Sequence, residues 1–264
     1  MNRINQLFSV KRNHILSMFI TAGYPGLNDT IPIVKVLEKS GVDMIEIGMP
    51  FSDPLADGPT IQQSSQKAIE NGMTLQVLFG QLKNIRLEVK IPLILMGYFN
   101  PVFYFGVEKF LKNCRETGID GVIIPDLPMQ EYTDEYQNLF EQYQIQNIFL
   151  ITPQSDEERV RKIDAISHGF IYMVSSSSTT GAKSAITKTQ IEYFERIKMM
   201  KLKNPVIIGF GISNHQTFSK ACEYANGAII ASAYIKKLAE EKKDILKTTE
   251  KFIKGIIKPT SHVK

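Results

Sequence analysis

The feature of the sequence that most constrains its fold is a unit that recurs along the chain: a helical stretch ends at a glycine, and a short apolar run follows at once. Clear cases are Gly41 before the run at 44–48, Gly118 before the run at 121–124, and Gly227. A glycine just past a helix end takes up the left-handed conformation that stops the helix. Short, nearly continuous apolar runs are typical of parallel strands that are buried on both faces. We therefore expect helices that alternate with parallel strands.

Eight such strands are predicted, and helical patterns separate all of them. They centre on residues 18–20, 44–47, 93–95, 122–124, 148–151, 171–174, 206–208 and 228–230. Eight uninterrupted alternations favour a closed (β/α)8 TIM barrel over an open doubly wound sheet, and 264 residues is close to the roughly 250 typical of that barrel. We predict one α/β TIM-barrel domain, residues 1–264, with a short extra helix at its N-terminus.

Composition excludes several other classes of protein. A formal net charge of +4 is too mild to indicate nucleic-acid binding. The apolar runs are too short to span a bilayer, and no signal peptide is visible. The two cysteines, Cys114 and Cys222, are too few for a disulfide framework, and their spacing suggests no metal site. We expect a cytoplasmic protein without a metal, a membrane anchor or a nucleic-acid partner.

Carboxylates at the end of the second strand are the first candidates for chemistry, because TIM barrels carry their active sites at the carboxyl ends of the strands. Glu46 lies in an otherwise apolar strand, where an unpaired carboxylate is costly to bury. It either forms a buried ion pair or serves a function. Asp53 and Asp57 follow in a loop with three prolines. Each could be a simple turn former, but a stiff loop also positions side chains well. Glu46 and Asp57 could then act together in proton transfer.

A phosphate site is predicted on the opposite side of the barrel mouth. Gly209 and Gly211 follow the seventh strand, and Ala231 and Ser232 follow the eighth. Barrels often bind phosphate with backbone N–H groups of these two loops and a helix N-terminus. Taken alone, the two glycines could equally form a tight turn. The Ser/Thr/Gly run at 175–184 after the sixth strand is expected to be a loop over the site. Together these features predict a small phosphorylated substrate.

The chain also resembles the tryptophan synthase alpha chain family, over nearly its whole length from about residue 13 to residue 238. The long run at 45–62, IEIGMPFSDPLADGPTIQ, is very specific for that family. Shorter similar segments occur in the expected order at 19–26, 96–101, 125–128, 180–182 and 209–213.

The resemblance implies a lyase that cleaves indole-3-glycerol phosphate to indole and glyceraldehyde 3-phosphate by a retro-aldol step, without a cofactor in this chain. Glu46 matches the family's general acid/base, and Asp57 matches the carboxylate that accepts a hydrogen bond from the indole N–H. The remaining matched positions are Phe19, Tyr172, Phe210 and Ile229 around the indole, Thr180 in the closing loop, and Gly181, Gly211 and Ser232 at the phosphate.

Two departures from the family pattern concern loop closure and phosphate binding. The family usually reads Gly-Val-Thr-Gly where this chain has Ser178, Thr179, Thr180 and Gly181, and it has glycine where this chain has Ala231. We expect the backbone N–H of Ala231 to reach the phosphate as long as the position needs no left-handed backbone.

The resemblance also implies a partner, a beta chain that carries pyridoxal phosphate, in an alpha2-beta2 heterotetramer. Asp53 and Pro54, expected to be exposed at the mouth, are the predicted contacts. Two alternatives remain open: a weakly catalytic allosteric subunit of the beta chain, or another indole- or ribose-phosphate barrel such as the synthase that makes indole-3-glycerol phosphate.

Overall fold

The computed structural model describes residues 1–175, 187–209, 211–241 and 244–258. Every predicted strand has a counterpart in it, and every pair of neighbouring strands is parallel. The strands are β1 (Ile15–Thr21), β2 (Met44–Gly48), β3 (Leu93–Met96), β4 (Gly121–Ile123), β5 (Gln146–Asn147), β6 (Leu150–Ile151), β7 (Ile171–Val174), β8 (Val206–Gly209) and β9 (Gly227–Ile230).

The sheet closes on itself through the segment that was predicted as a single fifth strand. The strand order is β5-β4-β3-β2-β1-β9-β8-β7-β6, so the two ends of the sheet are neighbours in sequence. The N–H of Ile148 donates to the carbonyl of Val122 (2.9 Å), and the N–H of Tyr172 donates to the carbonyl of Phe149 (2.9 Å). The expectation of one strand was wrong in detail, because the first half of the segment pairs with β4 and the second half pairs with β7. The segment therefore occupies the position of one strand in an eight-stranded TIM barrel.

Helices cover the outside of the barrel and confirm the alternation expected from the sequence. They are α1 (Arg3–Val10), α2 (Thr30–Lys39), α3 (Pro59–Glu70), α4 (Leu75–Leu82), α5 (Phe99–Phe105), α6 (Val107–Thr117), α7 (Met129–Glu131), α8 (Gln137–Tyr143), α9 (Glu157–Ile166), α10 (Lys188–Met199), α11 (His215–Cys222), α12 (Ser232–Glu240) and α13 (Ile245–Ile257). A 3-10 helix, Ile85–Leu87, follows α4, and a π-helical turn, Tyr132–Tyr136, joins α7 to α8. Among the described residues, no helix has the length and apolar character that crossing a membrane requires.

Both faces of the strands are buried, which explains why they read as continuous apolar runs. In β1 all seven residues are buried, and successive side chains point to opposite faces. Met18 and Ile20 belong to the large cluster between barrel and helices, whereas Ile15 and Phe19 belong to a second cluster that fills the barrel. Side chains that point inwards near the carboxyl ends of the strands therefore form the floor of any site at that end.

The extra helix α1 closes the opposite end of the barrel. Its residues Ile4 and Phe8 join the inner cluster, and the Phe8 ring lies 6.0 Å from the ring of Phe170. Arg3 forms a 2.9 Å ion pair with Asp120, which directly precedes β4 and is 3% exposed. Among the described residues, α1 thus covers the amino ends of the strands, and a cavity opens at their carboxyl ends.

Candidate active site

Glu46 on β2 is completely buried, at 0% exposure. Its Oε1 accepts a 2.7 Å hydrogen bond from the hydroxyl of Ser17, and its Oε2 has no hydrogen-bond partner among the described residues. Burial raises the pKa of Glu46 from 4.5 to about 7, and the Ser17 hydrogen bond works in the opposite direction. A carboxyl group with a pKa near neutrality can both give and take a proton.

The alternative function of Glu46, a buried ion pair that holds a strand in place, is not supported by this geometry. Within the described part of the chain, no cation lies within ion-pair distance of the carboxylate and no charge contributes to its pKa. An unpartnered buried oxygen is costly, and such a cost is typical of a group that is kept for chemistry.

Asp57 lies at the end of the loop after β2, directly before Gly58, which caps α3. Its Oδ2 accepts a 3.1 Å hydrogen bond from the Tyr98 hydroxyl, and that hydroxyl in turn accepts from the backbone N–H of Ala56 (2.9 Å). The ring of Phe51 lies 5.3 Å from the Tyr98 ring. Burial raises the pKa of the Asp57 carboxyl, and the Tyr98 hydrogen bond lowers it. The loop thus forms a turn and also holds Asp57 in one orientation.

The structure brings the two carboxylates to the same buried tyrosine. Tyr172 on β7 is 3% exposed. Burial raises its pKa most, and the charges of Glu46 and then of Asp57 raise it further. Both carboxylates therefore lie close enough to Tyr172 for their charges to raise its pKa.

A cavity of about 510 Å³ opens beside this group at the carboxyl ends of the strands. Asp57 lines it together with apolar groups, while Glu46 is level with Phe19 in the strand register and does not line the cavity itself. The residues that form its mainly apolar wall include Phe19, Met96, Pro125, Leu150 and Val174. Volumes of this order accommodate small-molecule ligands.

Two glycines make room for the aromatic side chains of the site. A β-carbon on Gly48 would lie 2.4 Å from the Phe19 ring, and one on Gly209 would lie 2.1 Å from the Tyr172 hydroxyl. Neither distance is possible for a real side chain, so both positions require glycine for packing. This is a stronger reason than the tight turn considered for Gly209 from sequence.

At the predicted phosphate end, Gly211 has a φ of +78°, a left-handed conformation that favours glycine. Ser232 is the first residue of α12, and the first N–H groups of a helix have no partner within it. Ala231 precedes it with φ −124°, so this position needs no left-handed backbone. Ile229 lies in the inner cluster. The predicted residues Thr180, Gly181 and Phe210, with most of the Ser/Thr/Gly run at 175–184, lie outside the described residues.

The predicted partner contacts Asp53 and Pro54 differ in exposure. Asp53 is exposed, and the hydroxyl of Ser52 donates to its carboxylate. Pro54 is buried and lines the cavity. The expectation that Pro54 is exposed was therefore wrong, because the loop folds inwards at this residue. The neighbouring Leu55 also lines the cavity but is 88% exposed.

Two residues that touch the carboxylates were missed from sequence. Ser17 interrupts the apolar run at 15–20 in β1, two residues before Phe19, and that polar break was the available signal. Tyr98 lies in a segment that resembles the family, but nothing in its spacing points to Asp57. Within the described residues, no group of three or more His, Cys, Asp or Glu side chains could hold a metal ion.

Comparison with known proteins gives a consistent result. The sequence profile of a family described as tryptophan synthase alpha chain matches residues 5–260. The chain is 62% identical over 240 residues to the tryptophan synthase alpha chain of Flavobacterium johnsoniae, covering 91% of this chain and 94% of that protein. It is 54% identical over 256 residues to that of Phocaeicola vulgatus, covering 97% of this chain and 99% of that protein.

Solved structures show the same similarity. The tryptophan synthase subunit alpha of Legionella pneumophila matches with a TM-score of 0.87 and 31% identity, covering 97% of each chain. A chain of the aminoacrylate-bound tryptophan synthase of M. tuberculosis matches with a TM-score of 0.83 and 27% identity, covering 97% of this chain and 100% of that chain.

Proposed function

The chain belongs to the tryptophan synthase alpha chain family and is a lyase that cleaves indole-3-glycerol phosphate to indole and glyceraldehyde 3-phosphate; we propose that Glu46 and Asp57 carry this reaction. The observation that supports the assignment most is the buried Glu46 carboxyl, which has a pKa of about 7 and an oxygen without a partner. The family also removes the alternative of an indole-3-glycerol phosphate synthase.

The reaction makes two demands on the enzyme. The indole ring must gain a proton at C3, which leaves positive charge at the ring nitrogen. The hydroxyl on the carbon next to the ring must lose its proton, so that this carbon becomes the aldehyde of glyceraldehyde 3-phosphate. The electron pair of the broken carbon–carbon bond then returns to the ring and regenerates indole. No proton is gained or lost overall.

Glu46 serves as the general acid and base. Because its pKa is close to neutrality, a large fraction of the enzyme carries the proton on Glu46 and a large fraction is ready to accept one. Oε1 is held by Ser17, and Oε2 has no partner among the described residues, so we assign the proton transfer to Oε2.

Asp57 accepts the hydrogen bond of the indole N–H and stabilises the positive charge that develops there. Tyr98 orients its carboxylate, and the partly buried surroundings strengthen its electrostatic effect. The apolar wall that contains Phe19 and Leu150 suits the indole ring. The proposed phosphate site is the backbone of Gly181, Gly211, Ala231 and Ser232. Tyr172, Phe210 and Ile229 are proposed to surround the indole ring with Phe19, and Thr180 is proposed to belong to the closing loop.

A beta chain that carries pyridoxal phosphate is the proposed partner, in an alpha2-beta2 assembly. Apolar side chains exposed around the mouth support this proposal. Leu55 is 88% exposed, and Phe103 and Tyr104 on α5 are 62% and 94% exposed. Exposed large apolar groups that cluster on one face are typical of protein interfaces, and Asp53 lies on the same loop as Leu55.

We further propose that residues 1–264 form one domain and that the protein works in the cytoplasm. The packing of α13 against α2, which joins the end of the chain to its first part, supports a single domain. Cys114 and Cys222 are both free, as is usual in a reducing compartment.

The catalytic assignment is tested by indole release from indole-3-glycerol phosphate, with and without a beta chain. Glu46→Gln should lower the rate by a factor on the order of 10² to 10⁴, and the exposed Glu70→Gln on α3 is the matched control. Asp57→Asn should also lower the rate strongly but leave the affinity for glycerol 3-phosphate nearly unchanged. Activity of Glu46→Gln within a few-fold of the control would overturn the assignment, because removal of the general acid cannot be that mild.

The partner proposal has its own test. Asp53→Ala should reduce activation by saturating beta chain more than it reduces the turnover of the isolated chain. Glu116→Ala, exposed near the end of α6, is the control because that end of α6 lies away from the mouth. Equal losses with and without the beta chain would place Asp53 in the turn rather than at the interface.

A further inference from the structure

Ser17 occupies an unusual position inside the barrel. Its neighbours in the strand register are Met44 on β2 and Ile229 on β9, and both belong to the apolar inner cluster. Ser17 itself is 0% exposed. A hydroxyl in such a layer is costly to bury unless it is hydrogen-bonded, and an apolar residue of similar size would fill the same space.

The Ser17 hydroxyl has one hydrogen bond within the described residues, and it goes to Glu46 Oε1 at 2.7 Å. Ser17 lies one layer below Glu46, because Glu46 is in register with Phe19, two residues further along β1. The bond therefore fixes one of the two carboxylate oxygens from the side of the packed interior.

We infer that Ser17 is a positioning residue for the lyase reaction: it orients the Glu46 carboxyl so that the exchangeable proton resides on Oε2. This inference rests on the proposed role of Glu46 and goes beyond it, because it assigns separate tasks to the two oxygens. Ser17 does not touch the substrate and acts only through Glu46.

The assignment of the proton follows from what each oxygen can bond to. The Ser17 O–H donates to Oε1, and this donation is strongest when Oε1 carries no proton. A proton on Oε1 would reverse the bond and leave the Ser17 hydrogen without an acceptor in the apolar inner layer, which costs free energy. A proton on Oε2 keeps the Ser17 bond as it stands, and the substrate can serve as its acceptor. The proton is therefore favoured on Oε2, the oxygen that has no partner among the described residues. A carboxyl without this bond would also be free to rotate and exchange its two oxygens.

The electrostatic balance at Glu46 agrees with this role. Burial raises the Glu46 pKa, and the Ser17 bond is the contribution that lowers it. Among the described residues, the titratable groups linked to this region are Tyr172 on β7, on whose charge both carboxylates act, and Asp57 on the loop after β2 with its hydrogen-bond donor Tyr98. Loss of the Ser17 hydroxyl should therefore leave Glu46 protonated to a higher pH.

The test uses the full chain and the variants Ser17→Ala, Ser17→Thr and Glu46→Gln, with pH profiles of kcat and KM for indole-3-glycerol phosphate. Ser17→Ala should lower kcat about tenfold and leave KM nearly unchanged. The midpoint of the change of kcat with pH that reports the ionisation of Glu46 should rise by roughly one pH unit. Ser17→Thr keeps the hydroxyl and should restore the midpoint. If the extra methyl group of Thr prevents folding, Ser17→Cys, a weaker donor of similar size, should give a midpoint between those of the Ala variant and the native chain.

A matched control separates positioning from packing. Ser167 is also buried, at 2% exposure, and its hydroxyl donates at 2.7 Å to the carbonyl of Ile163 at the end of α9. Ser167→Ala removes a comparable bond without touching Glu46, and it should leave the pH midpoint unchanged. If Glu46→Gln is inactive but Ser17→Ala keeps the native midpoint and kcat, the inference about Ser17 is wrong and the role of Glu46 stands. If Glu46→Gln is active, the proposed function itself fails, and the inference about Ser17 fails with it.

Discussion

Replacing Glu46 by glutamine should remove the fall in stability that ionisation of Glu46 causes as the pH rises, while it also removes the activity. Glu46 is completely buried, and its pKa is about 7 instead of 4.5. Between about pH 4.5 and about pH 7 the folded protein therefore binds more protons at this residue than the unfolded chain does. The contribution of Glu46 to the free energy of unfolding is therefore largest below about pH 4.5, and it falls as the pH rises through that window. Glutamine does not titrate, so the variant lacks this loss.

The size of the effect follows from the two pKa values. A tenfold difference in proton affinity between the folded and unfolded states corresponds to about 1.4 kcal/mol. The raised pKa of Glu46 therefore costs about 3 kcal/mol of stability once the carboxylate is fully ionised in both states. Between about pH 5 and about pH 8 the expected change is about 2.5 kcal/mol. The amide of glutamine is itself imperfectly bonded in the same place, which costs about 1–3 kcal/mol, but this cost does not depend on pH.

The measurement is urea unfolding of the native chain and of Glu46→Gln at several pH values from about 5 to about 8. The quantity of interest is the difference in unfolding free energy between the two proteins, because other titrating groups cancel in it. Glu70→Gln, at an exposed position of α3, should show a difference that is nearly constant with pH. A constant difference for Glu46→Gln as well would mean that Glu46 ionises at its ordinary pKa, and the argument from burial would be refuted.

Three further substitutions test other parts of the site. Tyr98→Phe keeps the ring that lies against Phe51 but removes the hydrogen bond to Asp57, so kcat/KM should fall by roughly tenfold; an unchanged value in the indole-release assay would mean that Asp57 needs no orientation. Gly209→Ala should abolish activity, because the alanine β-carbon would lie 2.1 Å from the Tyr172 hydroxyl. Gly80→Ala on α4 is the control and should retain activity, since a β-carbon there has nothing within 4 Å. Full activity of both variants would show that Tyr172 can move at no cost. Ala231→Gly should leave the affinity for glycerol 3-phosphate unchanged in a binding titration, since φ is −124°; tighter binding would show that the alanine side chain obstructs the phosphate.

The sequence predicts the barrel well because a parallel strand that is buried on both faces has few alternatives to an apolar run. It predicts the fifth strand less well, since the 146–151 segment pairs first with β4 and then with β7. Only the folded sheet determines at which residue the pairing changes from one neighbour to the other. Glu46 is found because a charge in an apolar strand is expensive. Ser17 is missed because a serine there is a much weaker anomaly, and its importance appears only when its partner is known.

The loop after β2 shows a different limit of prediction. Its prolines correctly indicate a stiff segment, but stiffness carries no information about direction. Pro54 is buried and Leu55 is exposed, although both line the cavity, so the expectation that Pro54 is exposed was wrong. Which of two adjacent loop residues is buried depends on the contacts that the loop makes with Tyr98 and with α3, and these contacts form only in the folded chain.

Each of the two aromatic residues of the site packs against a glycine on the neighbouring strand. Phe19 on β1 lies against Gly48 on β2, and Tyr172 on β7 lies against Gly209 on β8. In both pairs the glycine is in register with the residue two positions after the aromatic one, Thr21 in the first pair and Val174 in the second. Each ring therefore leans towards the barrel mouth and across to the next strand, where the missing side chain leaves a flat surface. The same displacement occurs in both strand pairs, and the charge of Glu46 acts on the second of the two rings, that of Tyr172. A glycine at such a position is required by the neighbouring strand, so its cause cannot be read from its own segment of sequence.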